Sequence, residues 1–197
     1  AYMANLSLIG DGSVGYVITV RATDVVGHQS SVSSSPFYVD SSAPLGGVVQ
    51  DGMTGGDISW TSSTSLLDVH WYGFEDMESG ISYYEVGVGT SVGNVSLSGG
   101  FHSFRYGGVG GNDTMVNSSN GIASSGIHKV AVSSDTGVSG LTEWRATLAG
   151  LVLEGGGEHT YYSVVRAWNH AGLYTDVWSN GIRVDDSVPS SGNVSDG

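Results

Sequence analysis

The sequence contains no cysteine, so neither disulfide bonds nor thiolate chemistry contributes to its fold or function. Only six of its 197 residues are lysine or arginine, against 19 aspartates and glutamates, and the net charge is −13. The six cations are scattered and cannot form a phosphate-binding surface, which argues against a nucleic-acid partner. No apolar run is long enough to cross a membrane as a helix, so no membrane insertion is expected. The acidity is typical of an extracellular surface or of one that binds divalent cations.

Helical periodicity is also missing. Short alternating segments rich in Val, Ile, Tyr and Trp recur between clusters of Gly, Ser, Asn and Asp, which is the pattern of strands separated by turns. The candidate strands are 48–50, 67–74, 81–88, 145–153, 161–168 and 177–185. The sequence therefore predicts an all-β fold, an immunoglobulin-like sandwich of about seven strands.

Alternation within the candidate strands predicts which side chains enter the core. In 161–168 it places Arg166 and Trp168 on the outer face. The side chains expected to point inward are Val69 and Trp71, Tyr84, Val86 and Val88, Tyr161, Ser163, Val165 and Ala167, and Ile182 and Val184. The stretch 99–140 breaks the pattern, because it is rich in Gly and Ser. Its only apolar runs are short, at 101–104 and 127–132, and it is predicted to be an insertion, a long loop with an extra hairpin.

The chain repeats itself at an offset of 145 residues. Residues 1–52 align without a gap on residues 146–197, with 21 identities in 52 positions. The predicted domains are 1–43, the C-terminal part of a first repeat; 44–188, one complete repeat; and 189–197, the start of a following repeat. Since 1–43 lack the first strands of a sandwich, we expect them to need strands from upstream sequence or from another copy. The repeat places Tyr16, Ile18, Val20 and Ala22 at the core-face positions.

Several of these residues carry a resemblance to a known family. The motif residues are Leu148, Leu151, Tyr161, Val165, Arg166, Ala167, Asn169 and Gly172, with Trp71, Ile81, Tyr84 and Val86 in the earlier half. They resemble fibronectin type III domains, and more narrowly the fibronectin-III-like tandem repeats of very large extracellular proteins. The resemblance implies that a leucine and the following tyrosine pin a strand corner. It also implies a spacer, adhesive or fibre-forming role with no common active site.

We therefore expect a structural, non-enzymatic repeat unit of a secreted or cell-surface glycoprotein. Its partners are expected to be other copies or adjacent repeats, assembled head to tail into a fibre or filament. The alternative is an adhesion or glycan/protein-binding module of a large extracellular receptor-like protein. Exposed aromatic side chains at Trp168, Tyr174 and Trp178 are the candidate binding surface for that alternative. No Gly-x-Ser-x-Gly elbow is present, and no catalytic residue is expected.

N-glycosylation acceptor motifs support the extracellular interpretation. Composition alone predicts about two Asn-x-Ser/Thr motifs, and the chain has more than that. The five candidate sites are Asn5, Asn94, Asn112, Asn117 and Asn193. N-linked glycans are thus expected, and no cofactor is required.

Two groups of acidic residues are candidate calcium ligands, because calcium prefers closely spaced oxygen ligands. Glu75, Asp76 and Glu78 lie together on one predicted turn. Asp40, Asp185 and Asp186 precede Pro44 and Pro189 at the repeat boundaries, where Asp51 and Asp196 are further contributors. Each group also has a plain structural interpretation, as a turn sequence or as a strand end before a linker.

Overall fold

The computed structural model describes residues 6–53, 56–105, 129–131 and 142–196. Within these ranges the chain forms strands and one short 3-10 turn, Ser96–Ser98, so the all-β prediction is confirmed. No described helix is long and apolar enough to span a membrane. The strands are β1 (Thr19–Thr23), β2 (Gln29–Ser33), β3 (Val48–Asp51), β4 (Trp60–Thr61), β5 (Leu66–Tyr72), β6 (Ile81–Gly89), β7 (His102–Arg105), β8 (Lys129–Ala131), β9 (Thr142–Ala149), β10 (Thr160–Asn169), β11 (Tyr174–Trp178) and β12 (Ile182–Val184).

The strands from β3 onward form a two-sheet sandwich. One sheet has the order β3-β5-β9-β8, and the other has the order β4-β12-β10-β6-β7, with β11 also paired to β10. If β3, β5, β6, β8, β9, β10 and β11 are lettered A to G, the first sheet is A-B-E-D and the second joins C, F and G, which is the strand order of immunoglobulin-type sandwiches. Strands β1 and β2 form a separate two-stranded sheet.

The core lies between the two sheets and contains the side chains that alternation predicted. Val69 and Trp71 of β5 are fully buried, as are Val86 and Val88 of β6. Tyr161, Ser163, Val165 and Ala167 of β10 are buried as well, while Arg166 points to the other face. The ring of Trp71 contacts Tyr84 across the sandwich at a centroid distance of 5.5 Å. Burial of such aromatic and branched side chains is the main stabilising term of the sandwich.

Three predicted strand ends differ from the structure. The strand predicted over 67–74 ends at Tyr72, where Gly73 takes a left-handed φ of 74°. The strand predicted over 145–153 is β9, which ends at Ala149 before Gly150 with φ 78°. The strand predicted over 177–185 is two strands, because Gly181 with φ 98° interrupts it between β11 and β12. Glycine tolerates these conformations, so each one permits a strand to stop or bend.

The two apolar runs of the insertion each lie at a strand that joins the sandwich. Strand β7 overlaps the first run, and β8 lies within the second. Strand β7 pairs with β6 and β8 pairs with β9, so the two strands extend opposite sheets and do not form a hairpin with each other. Pairing on an existing sheet edge satisfies backbone groups on a strand that is already fixed, which an isolated hairpin cannot do. Residues 106–128 and 132–140 lie outside the described residues.

Candidate functional site

The hairpin β1-β2 has the same register as the hairpin β10-β11. Val20 pairs with Val32 in the first, and Val165 pairs with Val177 in the second. All five residue pairs of each hairpin correspond at the offset of 145 residues. Their turns correspond too, since Gly27 and Gly172 have φ values of 92° and 82°.

The tyrosine three residues before the first residue pair of each hairpin makes the same hydrogen bond. The hydroxyl of Tyr161 accepts the backbone N–H of Glu154 at 2.7 Å, which pins the corner between the two sheets. The hydroxyl of Tyr16 accepts the backbone N–H of Ile9 at 2.6 Å, seven residues upstream in both cases. The segment before β1 thus adopts the corner geometry of a complete sandwich.

The two hairpins differ in the burial of their apolar side chains. Val165 is fully buried, whereas its equivalent Val20 is 60% exposed. Ile18 and Ala22, predicted to lie on a core face, are exposed as well. The reason is that sheet β3-β5-β9-β8 covers β10, while no described strand covers β1 or pairs with its second edge. The side of β1 that carries Ile18 and Val20 is therefore an exposed apolar surface, which we call the open face.

A second site lies where the segment before Pro44, which we call the first unit, meets the sandwich. The structure brings together Asp40, Asp76 and Glu78, whose carboxylate oxygens lie within 4.8 Å of one another. These calcium candidates come from the two separate groups of acidic residues in the sequence. The hydroxyl of Ser42 donates to Glu78 at 2.8 Å, and the hydroxyl of Ser79 donates to Asp40. We call this group the joint, because Asp40 and Ser42 precede Pro44, and Asp76 and Glu78 follow it.

Asn169 lies at the centre of the joint and is buried. Its side-chain amide donates to Asp40 at 2.9 Å, to Asp76 at 3.1 Å and to the backbone carbonyl of Ser42 at 2.9 Å. Its carbonyl oxygen accepts the N–H of Leu173 at 2.8 Å, which holds the side chain in place. In the sequence, Asn169 belongs to the family motif and is not expected to contact the segment before Pro44. No signal in the sequence pointed to that contact, because the residues that it joins are far apart in the chain.

Hydrogen bonds stabilise the negative charge at the joint. Burial of Asp76 raises its pKa, but bonds from the N–H groups of Ser79 and Gly80 and from Asn169 outweigh it and hold the pKa below its usual range. The joint is therefore a hydrogen-bonded contact between the segment before Pro44 and the sandwich, in which the carboxylates act as acceptors.

The remaining calcium candidates do not join this group. Glu75 contacts Leu45 through its backbone, because its carbonyl accepts the N–H of Leu45 at 2.7 Å. Asp185 accepts the N–H of Ser187 at 3.0 Å, as expected of a strand end, and Asp186 lies against Gly155.

Asp51, a further boundary candidate, is in fact a buried side chain of the sandwich. It is 0% exposed, and one carboxylate oxygen accepts the hydroxyl of Ser163 at 2.8 Å. The other oxygen has no hydrogen-bond partner. Burial raises the pKa of Asp51 to about 6, and the bond from Ser163 opposes that shift only in part. Asp51 is the last residue of β3, and its side chain reaches Ser163 of β10 in the opposite sheet. The carboxyl group therefore lies in the interior of the sandwich.

The aromatic residues of the predicted binding surface lie on the outer face of the second sheet. Trp168 and Tyr174 are paired across β10 and β11, with their rings 4.6 Å apart. Tyr83, which sequence analysis missed, stacks on the other side of Trp168 at 5.7 Å. Trp178 pairs with the buried Val164 and belongs to the same face. Tyr174 is 46% exposed, and the two tryptophans are half-buried.

Arg166 lies beside this aromatic cluster. Its guanidinium donates to both carboxylate oxygens of Asp176, at 2.7 and 2.8 Å. It is also held over the rings of Phe101 and Tyr174, at 4.1 and 4.0 Å from their centroids. The bond with Asp176 raises the pKa of Arg166, so the cation is fixed within the surface.

Two of the five glycosylation motifs lie in the described part of the chain. Asn193 is exposed. Asn94 is half-buried, and its side-chain oxygen accepts the N–H of Ser96 at 2.7 Å. The other three candidates, Asn5, Asn112 and Asn117, lie outside the described residues.

No protein-family model matches the chain, and no curated protein sequence matches it. Among solved structures, the chain is similar to a variant of BcpA, the major pilin subunit of Bacillus cereus, at 11% identity and a TM-score of 0.34. The alignment covers 85% of this chain and 48% of that one, so the chain spans about half the length of the pilin chain. A likeness at this level assigns neither a family nor a function.

Proposed function

We propose that this chain is a non-enzymatic structural repeat unit of a secreted or cell-surface glycoprotein, built from fibronectin-III-like sandwiches in tandem and assembled head to tail into a fibre. The observation that carries the proposal is the open face. Strand β1 has the register and corner of β10, yet Val20 is exposed where Val165 is buried. Hairpins of two strands are marginally stable in water, so the first unit requires further strands, either from sequence upstream of this chain or from another copy, and strands from another copy would link the units head to tail. Contacts that repeat along one direction without closing into a ring produce a filament.

The joint supports a fibre over a flexible string. Asn169, buried in the sandwich, bonds to Asp40 and Ser42 of the preceding segment, and Leu45 forms backbone bonds with Glu75. Buried, fully bonded polar contacts of this kind fix the orientation of the parts that they join. A fixed angle between successive units is what a regular filament needs.

Self-association through the open face is tested by a pair of substitutions, Val20→Asp and Val25→Asp. Both side chains are exposed in the single chain, at 60% and 104%, but Val25 lies in the turn beyond the end of β1. Burying an unpaired carboxylate is costly, so only Val20→Asp is expected to block assembly. Sedimentation velocity and negative-stain electron microscopy should show elongated assemblies for the wild type and for Val25→Asp, and monomers for Val20→Asp.

The proposal fails if the wild-type chain remains monomeric over the whole concentration range, or if the two variants assemble equally well. A monomeric wild type would favour the second candidate function, an adhesion or binding module. The observation behind that candidate is the outer aromatic cluster, in which Tyr174 exposes almost half of its surface beside Trp168.

Calcium binding at the joint stays a prediction from the sequence. Its support is that Asp40, Asp76 and Glu78 offer oxygens within 4.8 Å of one another. If calcium binds there, adding it should raise the melting temperature relative to a chelator, and Glu78→Gln should remove the difference. An identical melting temperature in calcium and in chelator would show that hydrogen bonds alone hold the joint.

A further inference from the structure

A groove of about 420 Å³ opens at β4, β12 and the start of β10, and none of its lining residues belongs to the open face or the joint. Its lining residues are Ser59, Trp60, Thr160, Tyr162, Asn180, Gly181 and Arg183. Strand β12 pairs with β10 on one side and with β4 on the other, which aligns Thr160, Arg183 and Trp60 across three strands. Side chains in register on adjacent strands point to the same face, so these three line one wall together. The volume is that of a site for a small ligand.

Trp60 supplies the apolar surface of the groove. Its side chain is 52% exposed, which is unusual for a tryptophan outside a binding surface. The ring lies against Gly157, which has φ 75°, and a Cβ there would lie 2.8 Å from the indole. The glycine therefore allows the chain to pass close to the ring and limit its movement while the indole keeps an exposed surface.

Arg183 supplies the charge. Its guanidinium carbon lies 5.8 Å from the centre of the Trp60 ring, and its Nε donates to the hydroxyl of Thr160 at 3.4 Å. In the described part of the chain, the guanidinium ion pairs are made by Arg145 and Arg166, not by Arg183. The two terminal nitrogens of Arg183 are thus available to a carboxylate in bidentate geometry. Because the chain carries a net charge of −13, a ligand with many negative charges would be repelled, whereas one carboxylate can bind this cation.

The other lining side chains are uncharged hydrogen-bonding groups. Asn180, Tyr162, Thr160 and Ser59 offer amide and hydroxyl groups, which match the hydroxyls of a sugar. The corresponding residues of the first unit are Gly15 for Thr160, Val17 for Tyr162, Ser35 for Asn180 and Tyr38 for Arg183. The polar set is therefore specific to one unit and is not a requirement of the repeated fold.

We propose that this groove binds a sugar residue that bears a carboxylate, with the ring face on Trp60 and the carboxylate on Arg183. The site goes beyond the proposed structural function and does not depend on it, since none of its residues belongs to the open face or the joint. A dissociation constant on the order of 1 mM is expected for a single sugar residue in an open groove.

The experiment is a titration of the ¹⁵N-labelled full chain with methyl glucuronide, followed by the indole N–H signals. Trp60→Phe identifies the signal of Trp60 among the five tryptophans. Methyl glucoside is the matched ligand without a carboxylate, and acetate is the carboxylate without a sugar. Arg183→Gln should weaken binding at least about tenfold, because it removes a charge-assisted pair. Arg21→Gln makes the same charge change on the exposed surface of β1 and should leave binding unchanged.

Saturable shifts of the Trp60 signal with methyl glucuronide, lost in Arg183→Gln and retained in Arg21→Gln, would support the site. The proposal is overturned if methyl glucoside or acetate gives the same response, if Trp60 does not respond, or if Arg183→Gln binds like the wild type. The spectrum also reports whether each variant is folded. Asn180→Ala, at an exposed position, provides a second variant that should weaken binding without affecting the core. Failure of this site would leave the assembly test with Val20→Asp unaffected.

Discussion

At the scale of single residues, Asp51 connects the two sheets but lowers the stability of the sandwich when its carboxyl group is ionised. The carboxyl group links β3 to β10 through Ser163, but it is fully buried, and one of its oxygens has no hydrogen-bond partner among the described residues. Burial without a full set of partners favours the neutral form of a carboxyl group. The residue therefore makes the stability of the sandwich depend on pH.

Asp51→Asn is expected to stabilise the chain at neutral pH and not in acid. The folded-state pKa is raised from 3.8 to about 6, so the contribution of the protonated form is present below pH 3.8 and lost as the pH rises through about 6. The shift corresponds to about 3 kcal/mol of lost stability above pH 7, which a neutral amide would recover in part. Urea unfolding at pH 4 and pH 8 measures the difference.

The matched control is Asp196→Asn, because Asp196 is the equivalent position at the offset of 145 residues and is exposed. It should change the free energy of unfolding little at either pH. Equal effects of Asp51→Asn at pH 4 and pH 8 would contradict the raised pKa.

At the scale of elements, the corner before β10 and the corner before β1 contain the same hydrogen bond in different surroundings. Tyr161 is 3% exposed and packs in the core, whereas Tyr16 is only half-buried because the first hairpin has no opposing sheet. The Tyr161 bond is part-buried and the Tyr16 bond is exposed, so water replaces the second more easily and the second contributes less. The same hydrogen bond therefore contributes less to the free energy of unfolding at Tyr16 than at Tyr161.

Tyr161→Phe is expected to lower the free energy of unfolding by about 1–2 kcal/mol, because the N–H of Glu154 loses its acceptor. Tyr16→Phe removes the matching bond to Ile9 and should cost clearly less in the single chain. Chemical unfolding of the two variants side by side gives the comparison. A larger loss for Tyr16→Phe would mean that the first unit is better protected than its exposure indicates.

At the scale of the whole molecule, the joint decides how two units are arranged. Asn169→Ala removes the side chain that holds Asp40, Asp76 and Ser42 together, so the two carboxylates lose one of their two shared donors and keep only Ser79. We expect a wider range of angles between the units, since like charges that lose a shared donor repel. Small-angle X-ray scattering should show a larger maximum dimension for monomeric Asn169→Ala than for the monomeric parent.

Val20→Asp is the suitable background for that measurement, because it is expected to keep the chain monomeric. Asn193→Ala is the control, since Asn193 is exposed and remote in sequence from the joint. Unchanged scattering in Asn169→Ala would show that the backbone bonds between Leu45 and Glu75 are sufficient to hold the units.

The sequence by itself determined the fold class, the core faces and the equivalence of the two hairpins. Alternation identified Trp71 and Val165 as core residues because side chains on successive strand positions point to opposite faces, a local geometric rule. The positions of strand ends were less certain, since Gly73 and Gly181 terminate strands through φ values that neighbouring residues do not specify.

Only the tertiary structure decided which distant residues meet. Asp40, Asp76 and Asn169 form one site although no local pattern links them, and Asp51, interpreted as a boundary carboxylate, proved to be buried. The groove at Trp60 and Arg183 depends on the parallel pairing of β4 with β12, which brings together residues more than a hundred positions apart. Periodicity reports the direction of a side chain relative to its own strand, whereas such sites depend on how strands are ordered in the sheets and how the sheets pack.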